Sequence, residues 1–519
     1  MAQRSLLGGT VLLVGAGAVG RLLDLIAQVF LSRALGAEAL GLMQMAMPTA
    51  GLLLIGATLG LPVALARFVA DRNAVGDEGA AWQAFRGVLF FCLGASLLVI
   101  VVGAWAIPRV ASHLLADSRA QGLLPWIYPL VLCHAVAAVL LSFFRGVRHT
   151  VVLVAAELLG SLSGLLLVPT LAFYGRHYGT MTALHGALAA MTVGSCLNLA
   201  LFLWFLRKTP FSRTAPPQLH PRQSVHVLVQ TALPIAVART IEAIGGMVAP
   251  LLYRFRAVQM GLSQSAATAA YGSIFGMAAP LLEVPGILTM ALTMMLNPIA
   301  SSAHSVHRVD ELRNQVRHAL LLAASLGLAY AAFLFVAGPA LGLLLYHRGD
   351  VGRYLQIFSI EVVFAAISPP LAAVLEGLGE ARRVTQNAVA SVATNLFVLA
   401  LRPADAQAVL LIPAWADVAS TALMALLNLW AVRQRLGPVF TGEQLLRLIW
   451  FASVIVLGMV GTGLLLSGEP ILRQAIGLVA SFVGIALVAL RWLQPVPWRL
   501  VRVSAGRMRT LWSALDLFH

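Results

Sequence analysis

The sequence predicts an all-α polytopic membrane protein of about fourteen transmembrane helices, and three observations lead there. Of 519 residues, 60% are hydrophobic and 11% charged, with a mean hydropathy of +0.89. Soluble domains carry roughly a quarter charged residues, so this chain cannot cover a water-facing surface. The apolar runs have the length of spanning helices, about 20 residues, rather than the short alternating pattern of barrel strands. Finally, the excess of 35 Lys and Arg over 20 Asp and Glu is scattered between those runs. Nucleic-acid binding would gather the cations on one folded face, whereas membrane topology distributes them among loops. No nucleic-acid partner is therefore expected; membrane lipids are.

Breaks at charged, Pro-rich or Gly-rich segments place the first six spans near 8–32, 41–66, 86–107, 123–144, 151–174 and 184–206. A linker at 207–222 follows, with Lys208, Pro210, Pro216, Pro217 and Pro221 favouring extended, solvated backbone. The next spans fall near 225–251, 268–298, 316–345, 355–378, 385–401 and 408–431, then a pair near 446–466 and 471–493. The expected organisation is an N-lobe over 1–206, a cytoplasmic linker over 207–222, a C-lobe over 223–433, a C-terminal helix pair over 434–494 and a tail over 495–519. In the tail, Trp498, Val501, Ala505, Met508, Trp512 and Leu515 share one helical face and Arg499, Arg502, Arg507 and Arg509 largely the other. That pattern reads as an interfacial amphipathic helix.

With both termini inside, about 22 Arg and Lys fall on the inner side against about 10 outside, which predicts cytoplasmic N- and C-termini. A weak internal repeat links YPLVLCHAVAAVLLSFFRG (128–146) with SIEVVFAAISPPLAAVLEG (359–377), each followed by a basic loop. Arg21 and Asp24 in the first span have a counterpart in Arg239 and Glu242 in the seventh, also at i,i+3. Parallel repeats put a substrate cavity at their interface. Chance likeness between apolar helices is the competing account.

Arg21, Asp24 and Gln28 stand at i, i+3 and i+7, one stripe on an otherwise apolar helix. Ionic groups in hydrocarbon face a bundle interior or a wet cavity. Two readings stand: Arg21 offers a fork to an anionic substrate while Asp24 orients it, or the pair locks the first helix into its lobe. If Arg239 and Glu242 line the same cavity, two arginines meet one polyanion. Arg254 and Arg256 extend that basic lining or snorkel to headgroups. Glu157, Glu283, Glu361 and Asp417 are isolated acids within spans, candidates for coupling to a monovalent cation or proton, or carboxyls kept neutral by burial. Prolines at 48, 62, 234, 280, 285, 298, 369 and 370 interrupt spans as kinks or hinges.

Enzyme chemistry finds no foothold. The glycines of VGAGAVG, Val14–Gly20, lie inside a span with no preceding strand and read as small-residue helix packing. Cys92, Cys133 and Cys196 form no metal-ligand pattern and read as packing. No catalytic residue, metal or cofactor is expected.

The N-terminal run containing GGTVLLVGAGAVGRLLDLIAQVFL, the LGAEALG turn and the GLPVALARFVAD end of helix two resembles the stage V sporulation protein B and polysaccharide biosynthesis flippase branch of the multidrug/oligosaccharidyl-lipid/polysaccharide exporter superfamily. The segment FFRGVRHTVVLVAAELLGSL from Phe143 is similar to that branch's connection between helices four and five, although Phe144-Arg145-Gly146 lacks its usual Gln. The resemblance implies two lobes that alternate in access, a cationic cavity, and movement of an undecaprenyl-diphosphate-linked saccharide such as lipid II across a bacterial cytoplasmic membrane. It also implies cell-envelope synthesis enzymes as partners. The alternatives are a cation-coupled multidrug exporter of the same fold and a non-transporting scaffold of envelope synthesis.

Overall fold

The computed structural model describes residues 2–114, 118–209, 221–306, 309–402 and 405–493, and among them there is helix but no strand. The tail at 495–519 and most of the linker fall outside the described residues. In order, the helices of the first half are α1 (Ala2–Thr58), α2 (Leu61–Ala74), α3 (Glu78–Leu114), α4 (Leu124–Val147), α5 (Thr150–Arg176), α6 (Thr180–Lys208) and α7 (Pro221–Gln259). The second half comprises α8 (Gln264–Tyr271), α9 (Ala279–Leu282), α10 (Gly286–Val306), α11 (Val309–Tyr346), α12 (Gly349–Gly377), α13 (Ala381–Ala400), α14 (Ala406–Leu436), α15 (Gly442–Leu465) and α16 (Ile471–Leu493). A π-helical turn at Gly272–Ala278 joins α8 to α9.

Eleven described helices are long and apolar enough to cross a membrane, fewer than the fourteen spans read from the sequence. Local chemistry accounts for two of the three, in α1 and α13, while the span expected at 471–493 counts only as the shorter apolar helix Ile471–Gly484, and the one expected at 268–298 is still counted, as Gln264–Leu282. The 57 residues of α1 are too many for one crossing, and the helix breaks at Gly36 (φ 77, ψ 171), a conformation that glycine alone adopts without strain. The two expected spans at 8–32 and 41–66 are thus a single run with a break in the LGAEALG turn. Leu59 and Gly60, both at positive φ, end that run, and Pro62 starts α2 where a missing N–H costs nothing. The span expected at 268–298 is subdivided by Pro280 and Pro285 into α8, the π turn, α9 and α10. α13 carries Arg382, Arg383, Gln386 and Asn387 in its first turns and is too polar to count.

Contacts divide the chain into two compact units, Met1–Ile287 with Ala388–Ser420, and Leu288–Asn387 with Thr421–His519. These boundaries are set by packing and differ from the lobes expected from the internal repeat. In the first unit, Phe68, Phe85, Phe143 and Phe144 form an aromatic core, with the Phe85 and Phe143 rings 4.5 Å apart and Leu228 and Ala232 of α7 packed on it. α5 and α6 approach closely because a Cβ on Gly175 would press on the Thr182 carbonyl and one on Gly186 on the Leu171 carbonyl. In the second unit, Leu320, Leu371, Leu375 and Val432 are fully or almost fully buried, and Gly327 of α11 rests against Val362 and Ala366 of α12. Large apolar side chains such as Phe90, Leu98, Trp105 and Leu166 stay exposed, as a lipid-facing surface requires.

Candidate functional site

Within the first unit, the polar stripe of α1 meets the broken segment around α9. The Arg21 guanidinium pairs with the Glu283 carboxylate, and the two side chains remain 47% and 64% exposed. Around them lies a cavity of about 380 Å³ lined by Arg21, Asp24, Gln28, Gln44, Phe275 and Glu283, with Leu22 and Pro280 among its apolar walls. Arg21 lies in the apolar run that begins at Leu12 and is long enough to cross a membrane.

One missing hydrogen explains how this wall is built. Pro280 has no N–H, so the carbonyls it would have bonded at i−4, Gly276, and in π geometry at i−5, Phe275, lose their helical donor. Gln28 donates from Nε2 to the Gly276 carbonyl at 2.7 Å, and Gln44 donates from Nε2 to the Phe275 carbonyl at 3.3 Å. Two amides of α1 thereby complete the ladder of its neighbour. α1 and α8 touch at glycine: a Cβ on Gly41 would collide with the Thr268 carbonyl, and one on Gly272 with the Ala37 carbonyl.

Asp24 also faces the other way. The Ser161 hydroxyl of α5 donates to its carboxylate, and Glu157 and Ser161 both lie against Gly20. Asp24 and Gln28 border a second cavity of about 310 Å³ among α1, α4, α5 and α6, together with His134, Ser163, Ser195 and Asn198. There the His134 Nδ1 lies 3.1 Å from both the Ser195 hydroxyl and the Leu130 carbonyl. The stripe is a polar partition shared by two cavities.

Arg21, Asp24, Gln28, Glu283 and Glu157 therefore converge, although Arg21 and Glu283 are 262 residues apart. Arg239 does not line either cavity; it pairs with its own Glu242 at 3.2 Å on α7. The lining thus holds one guanidinium and two carboxylates, where two arginines were expected. Arg254 donates to Gln264 at 3.3 Å, while Arg256 donates to Gln259 at 3.0 Å and to the carbonyl of Ala400, the last residue of α13. A cation there favours the negative end of a helix. Asp417 lies on α14 near Tyr271. In the second unit Glu361 is 7% exposed and accepts from the Thr421 hydroxyl at 3.1 Å. Sequence reading missed Gln44, Ser161, His134, Ser195 and Asn198, single polar residues in apolar runs whose convergence is tertiary. It also missed that Cys133 and Cys196 face one another, with sulfurs 3.5 Å apart.

Residues 6–266, half of the chain, match the polysaccharide biosynthesis protein family. The chain belongs to that family. A further match, to MatE, covers residues 257–401. Stage V sporulation protein B of Bacillus subtilis (strain 168) is 28% identical over 417 residues, covering 78% of this chain and 79% of that protein. Among solved structures, an inward-facing multidrug resistance MATE family transporter of the MOP superfamily superposes with a TM-score of 0.63 at 17% identity, over 81% of this chain and 98% of that one. The lipid II flippase MurJ, in an inward closed conformation, gives 0.60 at 13% identity over 93% and 99%. The family member described here is a multi-pass membrane protein with the fold of MOP-superfamily transporters, and the named neighbours are transporters and a flippase rather than enzymes.

Proposed function

We propose that the chain is a flippase for lipid-linked saccharides, moving an undecaprenyl-diphosphate-linked unit, lipid II or a related polysaccharide repeat, from the inner to the outer leaflet of a bacterial cytoplasmic membrane. The observation that carries this reading is Arg21, a guanidinium at membrane depth whose carboxylate partner is exposed and displaceable. A diphosphate offers oxygens that match the planar fork, and neither it nor the sugars can cross hydrocarbon unaided. The polyprenyl tail never has to leave the lipid. Membership of the polysaccharide biosynthesis protein family and the 28% identity to stage V sporulation protein B support the same substrate class.

When the diphosphate takes Arg21, Glu283 is released beside Asp24 and an anionic substrate. Like charges so placed are relieved by a proton or a monovalent cation. Coupling is therefore proposed at Glu283 and Asp24, with Glu157 nearby; Asp417, and Glu361 in the second unit, are further candidates. Both termini are proposed to be cytoplasmic, on the strength of the basic inner loops.

One observation favours a second reading, a cation-coupled multidrug exporter: Asp24, Glu283 and the Phe275 ring together suit an organic cation. Reconstitution in liposomes separates the two. Labelled lipid II, an undecaprenyl-diphosphate glycan and a cationic dye are offered to the wild type and to Arg21→Ala with Arg239→Ala. Saccharide-lipid movement that falls by about tenfold or more in the double variant is expected. Movement of dye alone overturns the flippase, and movement of nothing, with correctly folded protein, leaves a scaffold.

A further inference from the structure

Midway along two neighbouring spans, α4 and α6 bring a pair of thiols together. Cys133 is the central residue of Arg119–Val147, and Cys196 stands just past Gly194, the centre of Thr180–Lys208; both stretches have 29 residues and are long and apolar enough to cross a membrane. The two sulfurs are 3.5 Å apart, the separation of a thiol–thiol hydrogen bond. A disulfide is about 2.05 Å long, so an approach of about 1.5 Å would bond them. The seam around them is held in register. His134 and Ser195, one residue along each helix, meet at 3.1 Å, and further on the Phe144 and Phe202 rings stack with centroids 5.9 Å apart.

Packing explains the third cysteine of this chain and not these two. Cys92 is fully buried in the aromatic core with Phe85 and Phe143, where a small apolar side chain belongs. Cys196 is exposed and Cys133 half-buried. Val193 and Leu197, which flank Cys196 on α6, are 47% and 42% exposed, so this face of the helix is an apolar one that meets lipid. A thiol there adds little to the core and is open to reagents dissolved in the bilayer. Water-soluble thiol systems such as glutathione have no route to the centre of two spans.

We infer that Cys133 and Cys196 form a redox site, a dithiol that closes to a disulfide across the α4–α6 seam with a lipid-soluble quinone as the oxidant. Two S–H bonds break and one S–S bond forms; the two electrons and two protons pass to the quinone oxygens, and the product leaves as the hydroquinone. The sulfurs belong to residues 63 positions apart, so the bond closes α4, α5 and α6 into one covalent loop. α5 carries Ser161, which donates to Asp24, while His134 and Ser195, beside the bond, line the second cavity. Oxidation therefore stiffens the wall of that cavity, whatever cargo the protein carries.

The test uses the full chain, reduced and then kept without oxygen in phosphatidylcholine liposomes containing decylubiquinone or, in parallel, with glutathione disulfide in the surrounding water. After unfolding, N-ethylmaleimide adducts are counted by intact mass. The quinone-treated protein is expected to take one adduct, on Cys92, in place of three, and to yield a 133–196 linked peptide that a phosphine reductant separates, while glutathione disulfide leaves three. The link should also raise the thermal midpoint by constraining the unfolded chain. Cys196→Ser should take two adducts with or without quinone and show no such rise. Retention of all three thiols under quinone, a link between two copies rather than within one, or equally fast oxidation by glutathione disulfide each overturns the assignment. A link that leaves the midpoint where it was overturns the stiffening of the cavity wall. No step reads transport, so failure here is separable from failure of the flippase reading.

Discussion

Arg21 keeps a carboxylate partner while almost half of its side chain remains open, and that combination separates a binding residue from a structural one. A pair this exposed is worth no more than about 1 kcal/mol to the fold. Glu283→Gln should therefore leave thermal stability nearly unchanged, within that same ~1 kcal/mol, while freeing Arg21 from its competitor. Tighter binding of a diphosphate lipid, together with loss of the dependence of transport on a proton or cation gradient, is the expected outcome, measured by equilibrium binding in detergent and flux in liposomes. Arg21→Lys keeps the charge but loses the planar fork, and should weaken the same binding by about tenfold. A Glu283→Gln protein that unfolds, or binds more weakly, makes the pair a structural clamp. The stripe of Arg21, Asp24 and Gln28 was legible from spacing alone, because i, i+3 and i+7 share a helical face whatever surrounds it. Glu283 stood out only as a lone acid, since nothing local joins it to a residue in the first span.

Between α1 and the segment after α8, the element that matters is a defect in a hydrogen-bond ladder repaired from outside. Pro280 was visible in the sequence as an interruption, but the amides that repair it were not. Gln28 counted as part of a charged stripe and Gln44 as an unremarked amide among methionines, yet both serve the carbonyls Pro280 cannot reach. The repair ties α1 to a short segment that carries Glu283, so the position of that carboxylate depends on two glutamines. Gln28→Leu removes the better bond, 2.7 Å, and leaves the Gly276 carbonyl without its donor at a cost of about 1–3 kcal/mol. Loosening should be local: amide hydrogen exchange across 272–286 is expected to accelerate by roughly 5- to 150-fold, with α11 and α12 unchanged. An unchanged exchange pattern would mean that the π turn is held by packing at Gly41 and Gly272 alone. The second unit has a comparable interior in Asn428, fully buried, which accepts from Asn387 at 2.8 Å and donates to Ser368 at 3.5 Å. Polar ladders of this kind escape sequence reading because each member looks like an isolated residue in an apolar helix.

For the whole molecule, membrane class, helical architecture and family followed from composition, run length and the motifs of the first 160 or so residues, because lipid admits few backbone solutions. Span boundaries were less legible wherever glycine or proline redefined a helix, as at Gly36 and Pro285, and packing units did not follow the internal repeat. Topology is the expectation that binds the rest together, since it fixes which leaflet supplies the cargo. Charge bias argues for it through many loops at once, so single sites can test it. Asn73, exposed at the end of α2, falls in a loop expected to be inner, and Ser467, exposed between α15 and α16, in one expected to be outer. With Cys92, Cys133 and Cys196 replaced by alanine, Ser467→Cys should react with a membrane-impermeant maleimide on intact cells, whereas Asn73→Cys should react only after permeabilisation. The opposite pattern reverses the orientation, and with it the direction in which Arg21 would receive its substrate. Labelling of both sites from outside would require an even number of crossings between them, where the fourteen-span count places eleven, and would leave that count untenable.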